Sequence, residues 1–363
     1  MSHTSLQIWV NKQDLHDVTV MQDSLSDDVL GDNDVLIKTE QFGLSANNIT
    51  YAAHGHDMGY WDIFPAGEGY GIVPVWGFAT VVASHHPDIQ LGERIFGFLP
   101  MASHWVIRAG KVTPRGLVDV HPDRNSIHHL YDSYQRCNAD PAYKPDREVW
   151  QQAFRPLFIT SFVLDAHVSE ISDHGAILLS SASSKTASGT ACLLRHQRKL
   201  RNADYRLIGL TSADNADQVA SSNCYDEVVV YDEVDTLPQA DSYWLLDFTG
   251  NGETLARLQR HLELSMDTIT LVGTTAWQAR QKTNSASLAA DVFFAPAHIK
   301  QCQQEWGMEQ FFSRYQEAWE LFCQTTSQTY YEKQYQGVKE AIAVYKEMLA
   351  GMTDPSALVS VRF

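Results

Sequence analysis

Little in this chain offers a metal or a disulfide. Its five cysteines, Cys137, Cys192, Cys224, Cys302 and Cys323, are scattered and never spaced as Cys-x-x-Cys. That supports neither a structural zinc site nor a disulfide framework, and each reads as a small core residue or a free thiol. Positive charge is also scarce. Lys and Arg number 27 against 44 Asp and Glu, a formal net charge of -17 without a basic run. This argues against nucleic-acid binding and against an anionic membrane surface. No apolar stretch approaches the ~18 residues that a spanning helix needs. Residues 1–14 have neither the basic head nor the apolar core of a signal peptide, so a cytoplasmic protein is expected. Also missing are internal repeats, low-complexity tracts and a Gly-x-Gly-x-x-Gly turn.

What remains is an ordinary globular composition, 44% hydrophobic and 20% charged, over 363 residues. That length suits two domains, each with its own core. In the first third, residues 6–10, 18–21 and 34–42 alternate apolar and polar positions as half-buried strands do. Residues 73–84 and 93–98 continue the rhythm, punctuated by Gly31, Gly55, Gly67, Gly71, Pro87 and Gly92. A barrel-like β domain is expected. A polar stretch follows over 121–147, then a helix over 150–167. Residues 310–352 read as largely helical and 358–361 as a last strand.

The middle of the chain alternates apolar strand candidates with helix-like spacers: 176–179, 205–212, 226–231, 243–250 and 269–274. Such alternation argues for a doubly wound parallel sheet in an α/β domain, where ligands sit beyond the carboxyl ends of the strands. Those ends carry Ser181, Ser183, Ser184, Lys185 and Thr186, then Thr211 and Ser212, then Thr249 and Gly250, then Gly273, Thr274 and Thr275. Small hydroxylated residues before a helix let a phosphate reach its free N–H groups. Ser183, Ser184 and Thr186 can add hydroxyl donors and Lys185 a charge. The competing reading is that these hydroxyls only cap the helix.

Several segments resemble the medium-chain dehydrogenase/reductase superfamily. Residues 34–49 are similar to its early strand and Gly-Leu-Asn-Pro-x-Asp turn. Residues 73–82 resemble its Pro-Gly-x-Glu-x-x-Gly-x-Val segment, 91–98 its Gly-Asp-Arg-Val-x-Gly strand, and 337–355 its closing helix and strand. The turn 182–187 resembles the Ala-Ser-Gly-Gly-Val-Gly of the zinc-free, quinone-oxidoreductase-like branch, with an uncharacterised bacterial side family as a further option. The resemblance implies a GroES-like β barrel over 1–150, completed by 325–363, and a Rossmann-like dinucleotide-binding domain over 151–324. It also implies an oxidoreductase and, in resembling proteins, often a homodimer.

Where zinc-dependent relatives place metal ligands, this chain has Ser45, Trp76 and Gly77. The stretch 121–147, with only Cys137, stands in place of the structural-zinc lobe, and His128 and His129 read as surface residues. No zinc is expected. The cofactor implied is NADP(H), because Thr211 and Ser212, with Asn215 behind them, put no acid at the tip of the second strand. Asp214 and Asp217 close by keep NAD(H) open. The reaction implied is hydride transfer to an activated double bond, quinone or carbonyl of a small-molecule substrate. Tyr51 is the candidate proton donor, Asn48 a substrate-orienting residue, and Ser45 and Asn47 neighbours in the same turn. Tyr60, Trp61 and Phe64 are candidates for an apolar wall. Tyr131 and Tyr134, at helical spacing, are read as packing or lid residues. Phe293 and Phe294 are read as pocket, core or interface, and the aromatic run from Trp306 to Phe322 as a core-facing helix. A non-catalytic protein that uses the same fold to bind a small molecule or a partner is the alternative.

Overall fold

The computed structural model describes residues 2–122, 124, 129–169, 175–237, 240–262, 269–272 and 290–363. Two compact units are present. The first comprises Met1–Ala153 with Tyr331–Phe363, and the second Phe154–Tyr330.

In the first unit the strands are β1 (Ser2–Asn11), β2 (Val18–Ser26), β3 (Asp34–Leu44), β4 (Tyr70–Gly71), β5 (Pro74–Ser84), β6 (Arg94–Pro100), β7 (His104–Gly110), β8 (Gly116–Asp119) and β9 (Ser133–Arg136). β3 pairs with both β5 and β7, so the order β3-β5-β6-β9-β8-β7 closes on itself as a six-stranded barrel. Closure needs a bent strand, and β3 has register shifts between Leu36 and Ile37 and between Thr39 and Gln41. Val35, Ile37, Phe42, Val75, Val81, Ile95, Phe98 and Ile107 fill its core. The barrel is GroES-like. The polar stretch contributes to it directly, because β9 pairs with β6 and β8.

The tail is largely helical with a last strand, as expected, but it holds one further strand. A helix, Met308–Thr325, is followed by a strand, β16 (Tyr331–Gln336), then the helix Gly337–Leu349 and β17 (Ala357–Arg362). β16 runs parallel to β17, which pairs with β3. β16 is almost wholly exposed, so it carries no apolar alternation to betray it.

The second unit holds β10 (Ala176–Leu179), β11 (Arg206–Thr211), β12 (Glu227–Val230), β13 (Tyr243–Asp247), β14 (Ile269–Val272) and β15 (Asp291–Phe293). All pairings are parallel, in the order β12-β11-β10-β13-β14-β15. This is the Rossmann-like doubly wound arrangement, and its strand order reverses between β10 and β13. Phe158 and Phe162, on the helix Glu148–Ser169, meet Trp319 at 5.2 Å and Phe311 at 5.5 Å. The aromatic run is therefore core, although Gly307 (φ +77) splits it into the helices Ala295–Trp306 and Met308–Thr325.

Candidate functional site

In the second unit, the candidate site is the turn leaving β10. Ser180 is buried at the strand end, and its hydroxyl donates to Asp247 Oδ1 at 2.6 Å. Asp247 also accepts the Thr249 N–H and hydroxyl at 3.2 and 2.8 Å and the Gly250 N–H at 3.2 Å. A glycine suits position 250, where φ is +61. One buried carboxylate thus ties the two strand ends that flank the order reversal.

Ser181 stands in the left-handed region, with φ +49, where a glycine would be at ease. Its N–H donates to the Tyr231 hydroxyl at 2.6 Å, and Tyr225 donates to the Ala182 carbonyl at 3.0 Å. Two tyrosines thereby hold a turn that lacks glycines. Tyr225, Tyr231 and Asp247 were not among the expected site residues, although the last two sit at strand ends where a count of polar termini would have found them.

The hydroxyls have specific duties. Ser184 caps the helix Lys185–Leu200, its Oγ accepting from the Ala187 N–H at 3.3 Å. Ser183 Oγ accepts from Asn215 Nδ2 at 3.2 Å. Both oxygens act as acceptors, and among the described residues neither hydroxyl donates a bond, so both protons are available to an anion. The Thr186 carbonyl accepts the Ser161 and Thr190 hydroxyls at 2.8 and 2.9 Å. Among the described residues, no acceptor meets the N–H groups of Ser183, Lys185 or Thr186. Unpaired donors of this kind at a helix start form an anion cradle.

Lys185 Nζ lies 5.8 Å from the centre of the Phe154 ring. Burial pulls its ammonium down to about 8. At the end of β11, Thr211 is buried and Ser212 exposed. Gly273, Thr274, Thr275 and His128 lie outside the described residues, as does the side chain of His129.

In the first unit, the helix Ala46–Ala53 carries Tyr51. Asn48 fixes that helix: its Oδ1 accepts the Ser45 N–H at 2.8 Å and the Ser45 hydroxyl at 3.2 Å, and its Nδ2 donates to the Pro74 carbonyl at 2.9 Å. Asn48 is buried with both ends engaged. In the structure Asn48 and Ser45 hold the helix that carries Tyr51.

Tyr51 is half-buried. Its ring lies 4.2 Å from that of Tyr60 and edge-on to Phe98 at 5.9 Å. Burial pushes the phenol well above the ordinary tyrosine range, with Tyr131 adding to the rise and Trp76 opposing it. Tyr60 is spoken for, its hydroxyl 3.1 Å from that of Tyr131. Trp61 and Phe64 are buried core.

Tyr131 and Tyr134 do not share a helix face. Tyr131 is in the short helix His129–Asp132, and Tyr134 is in β9, buried, donating to the Phe98 carbonyl at 3.0 Å. Arg124 anchors this stretch by donating to Asp119 and to the Tyr134 hydroxyl, each at 2.7 Å, and to the Tyr131 carbonyl. In the second unit Phe293 stacks on His298 at 4.2 Å, whereas Phe294 is exposed.

The fold is that of the medium-chain dehydrogenase/reductases. A quinone oxidoreductase from Coxiella burnetii has a similar structure, with TM-score 0.56 and 10% identity over 99% of this chain and 100% of that one. A mutant enoyl thioester reductase from Candida tropicalis matches with TM-score 0.57 and 13% identity, over 99% and 100%. CurA from Vibrio vulnificus, in complex with NADPH, matches with TM-score 0.56 and 13% identity, over 100% and 99%. No curated protein matches the sequence. Within that fold the chain belongs to the family described as "Protein of unknown function (DUF2855)", which matches residues 42–354.

Proposed function

We propose that this chain is a zinc-independent, NADP(H)-dependent oxidoreductase that reduces an activated double bond, a quinone or a related carbonyl of a small molecule. The observation that carries the reading is the cradle after β10, at the reversal of strand order. There, among the described residues, the N–H groups of Ser183, Lys185 and Thr186 meet no acceptor, and the Ser183 and Ser184 hydroxyl oxygens act only as acceptors. Such a donor set suits a pyrophosphate. The NADPH bound by the similar CurA structure agrees with it.

In this reading Ser181, Ser183, Ser184, Lys185 and Thr186 hold the pyrophosphate. Thr211, Ser212 and Asn215 serve the adenine ribose. The exposed Ser212 presents no carboxylate to a 2′-phosphate, which favours NADP(H) over NAD(H). Thr249 and Gly250, with Gly273 and Thr274, complete the cofactor-binding set. When bound, the cofactor supplies a hydride to the substrate. Tyr51 supplies the proton, because its phenol stays neutral and its O–H has no acceptor among the described residues.

Zinc does not fit the donors present. Ser45 is bonded to Asn48, Gly77 has no side chain, and the Trp76 indole nitrogen is a donor only. Among the described residues, no helix is long and apolar enough to cross a membrane. A cytoplasmic enzyme, with a homodimer as its assembly, is part of the proposal.

The test is NADPH consumption with a panel of quinones, aryl enones and enoyl thioesters, before and after exhaustive chelation. Turnover on one member that survives chelation is expected. Loss on chelation would overturn zinc independence. Tight NADPH binding with no turnover on any member would favour the binding-protein alternative.

A further inference from the structure

The β1–β2 hairpin belongs to a three-stranded sheet, β2-β1-β4, separate from the barrel. In its register Gln7 lies opposite Met21 and Trp9 opposite Thr19, so Gln7, Trp9 and Met21 share one face. That face, with Ile63, Pro65 and Trp105 of β7, lines a cavity of about 530 Å³ within the first unit. The volume is that of a small-molecule site. None of the residues lining it belongs to the cradle after β10 or to the helix that carries Tyr51.

The lining selects its occupant. Trp9 and Trp105 are its largest apolar groups, and both are held in place. Trp9 donates to Gln7 Oε1 at 2.9 Å and packs so closely that a Cβ on Gly67 would come within 2.6 Å of its ring. Trp105 stands edge-on to Phe64 at 5.6 Å. Fixed rings lose little freedom when a flat molecule packs on them. The Trp9 bond engages Gln7 Oε1, so what Gln7 offers an occupant is its Nε2 N–H, which meets no acceptor among the described residues. Arg124 is in the lining too, but its charge is answered. It donates to Asp119 at 2.7 Å, pairs with Asp132 at 3.5 Å and lies over the Phe64 ring at 4.8 Å. Asp23 and Asp119 also line the cavity, so an anion would meet two carboxylates beside one guanidinium. We propose that this cavity is a second small-molecule site, which takes an uncharged planar aromatic compound whose carbonyl or ring-nitrogen acceptor meets the Gln7 amide. The site is independent of the cradle and of any cofactor held there.

The experiment is titration calorimetry of the native protein, with no cofactor added. The probes are acridone, a neutral three-ring carbonyl compound, and anthracene-2-sulfonate, of similar size but anionic. Acridone should bind, and the sulfonate at least tenfold more weakly. Gln7→Met keeps the length of the side chain and removes the amide, and should weaken acridone by about two- to tenfold, the worth of one hydrogen bond. Ala66→Phe puts a ring into the lining and should abolish binding, with a thermal melt as the check on folding. Gln7→Met decides the matter should Ala66→Phe fold poorly. No binding of acridone by the native protein would overturn the proposal. So would an affinity that neither variant changes, or equal binding of the sulfonate.

Discussion

Replacing Tyr51 by Phe is expected to lower kcat/KM by about a hundred- to ten-thousandfold, the usual contribution of a positioned general acid. The change deletes one oxygen from a half-buried ring whose contacts with Tyr60 and Phe98 are made by carbon. The melting temperature and NADPH affinity should therefore stay close to native. Burial holds the phenol well above its ordinary value. The native enzyme should keep its donor protonated through mildly alkaline pH, with the descending limb lying above ~10, the unperturbed tyrosine value. Steady-state kinetics with a parallel thermal melt decide the matter. Native turnover by Tyr51→Phe would remove Tyr51 from the chemistry.

Lys185→Glu should raise the Kd for NADPH by about a hundredfold or more. It replaces a charge-assisted donor, worth roughly 1.5–3 kcal/mol, by a repelling carboxylate at the same helix start. A parallel thermal melt separates loss of the anion site from loss of the fold, because the Lys185 side chain is buried against the Phe154 ring. The native lysine adds a pH dependence. Burial depresses its ammonium to about 8 in the folded protein, from the ordinary lysine value. Between those values the unfolded chain binds the extra proton, so the ligand-free protein gains stability as pH rises through that window. NADPH affinity should move the opposite way, falling above about pH 8 by at most tenfold per unit as the charge is lost. Isothermal titration of both proteins across pH measures this. An affinity indifferent to Lys185→Glu would place the pyrophosphate elsewhere.

Much of the fold was legible because burial leaves a rhythm. β10 is fully buried, and its four apolar residues gave its limits correctly. β16 was missed because its side chains face solvent and its pairing with β17 rests on backbone bonds. β9 was missed for a related reason. It is a four-residue strand within a polar stretch, and what secures it is the Arg124 guanidinium, whose partners are separated from it in sequence. At the site, residue types pointed to the right strand ends, but the direction of each hydrogen bond was not legible. Asn48 has the composition of a substrate-binding residue, yet the Pro74 carbonyl and the Ser45 N–H claim both its ends. Ser181 in the left-handed region is explained only by the Tyr231 hydroxyl that meets its N–H, a partner 50 residues away.

In the proposed function the glycine-poor turn after β10 still holds a dinucleotide. Titrating the native protein with NADPH and with NADH, followed by thermal stability, tests it most directly. A ligand that binds only the folded state stabilises it by about 2.7 kcal/mol at a hundredfold excess over its Kd. A clear rise in melting temperature with NADPH and a smaller one with NADH is the expected result. No rise with either would contradict the account, and would mean that the cradle of Ser183, Lys185 and Thr186 serves some other anion or none.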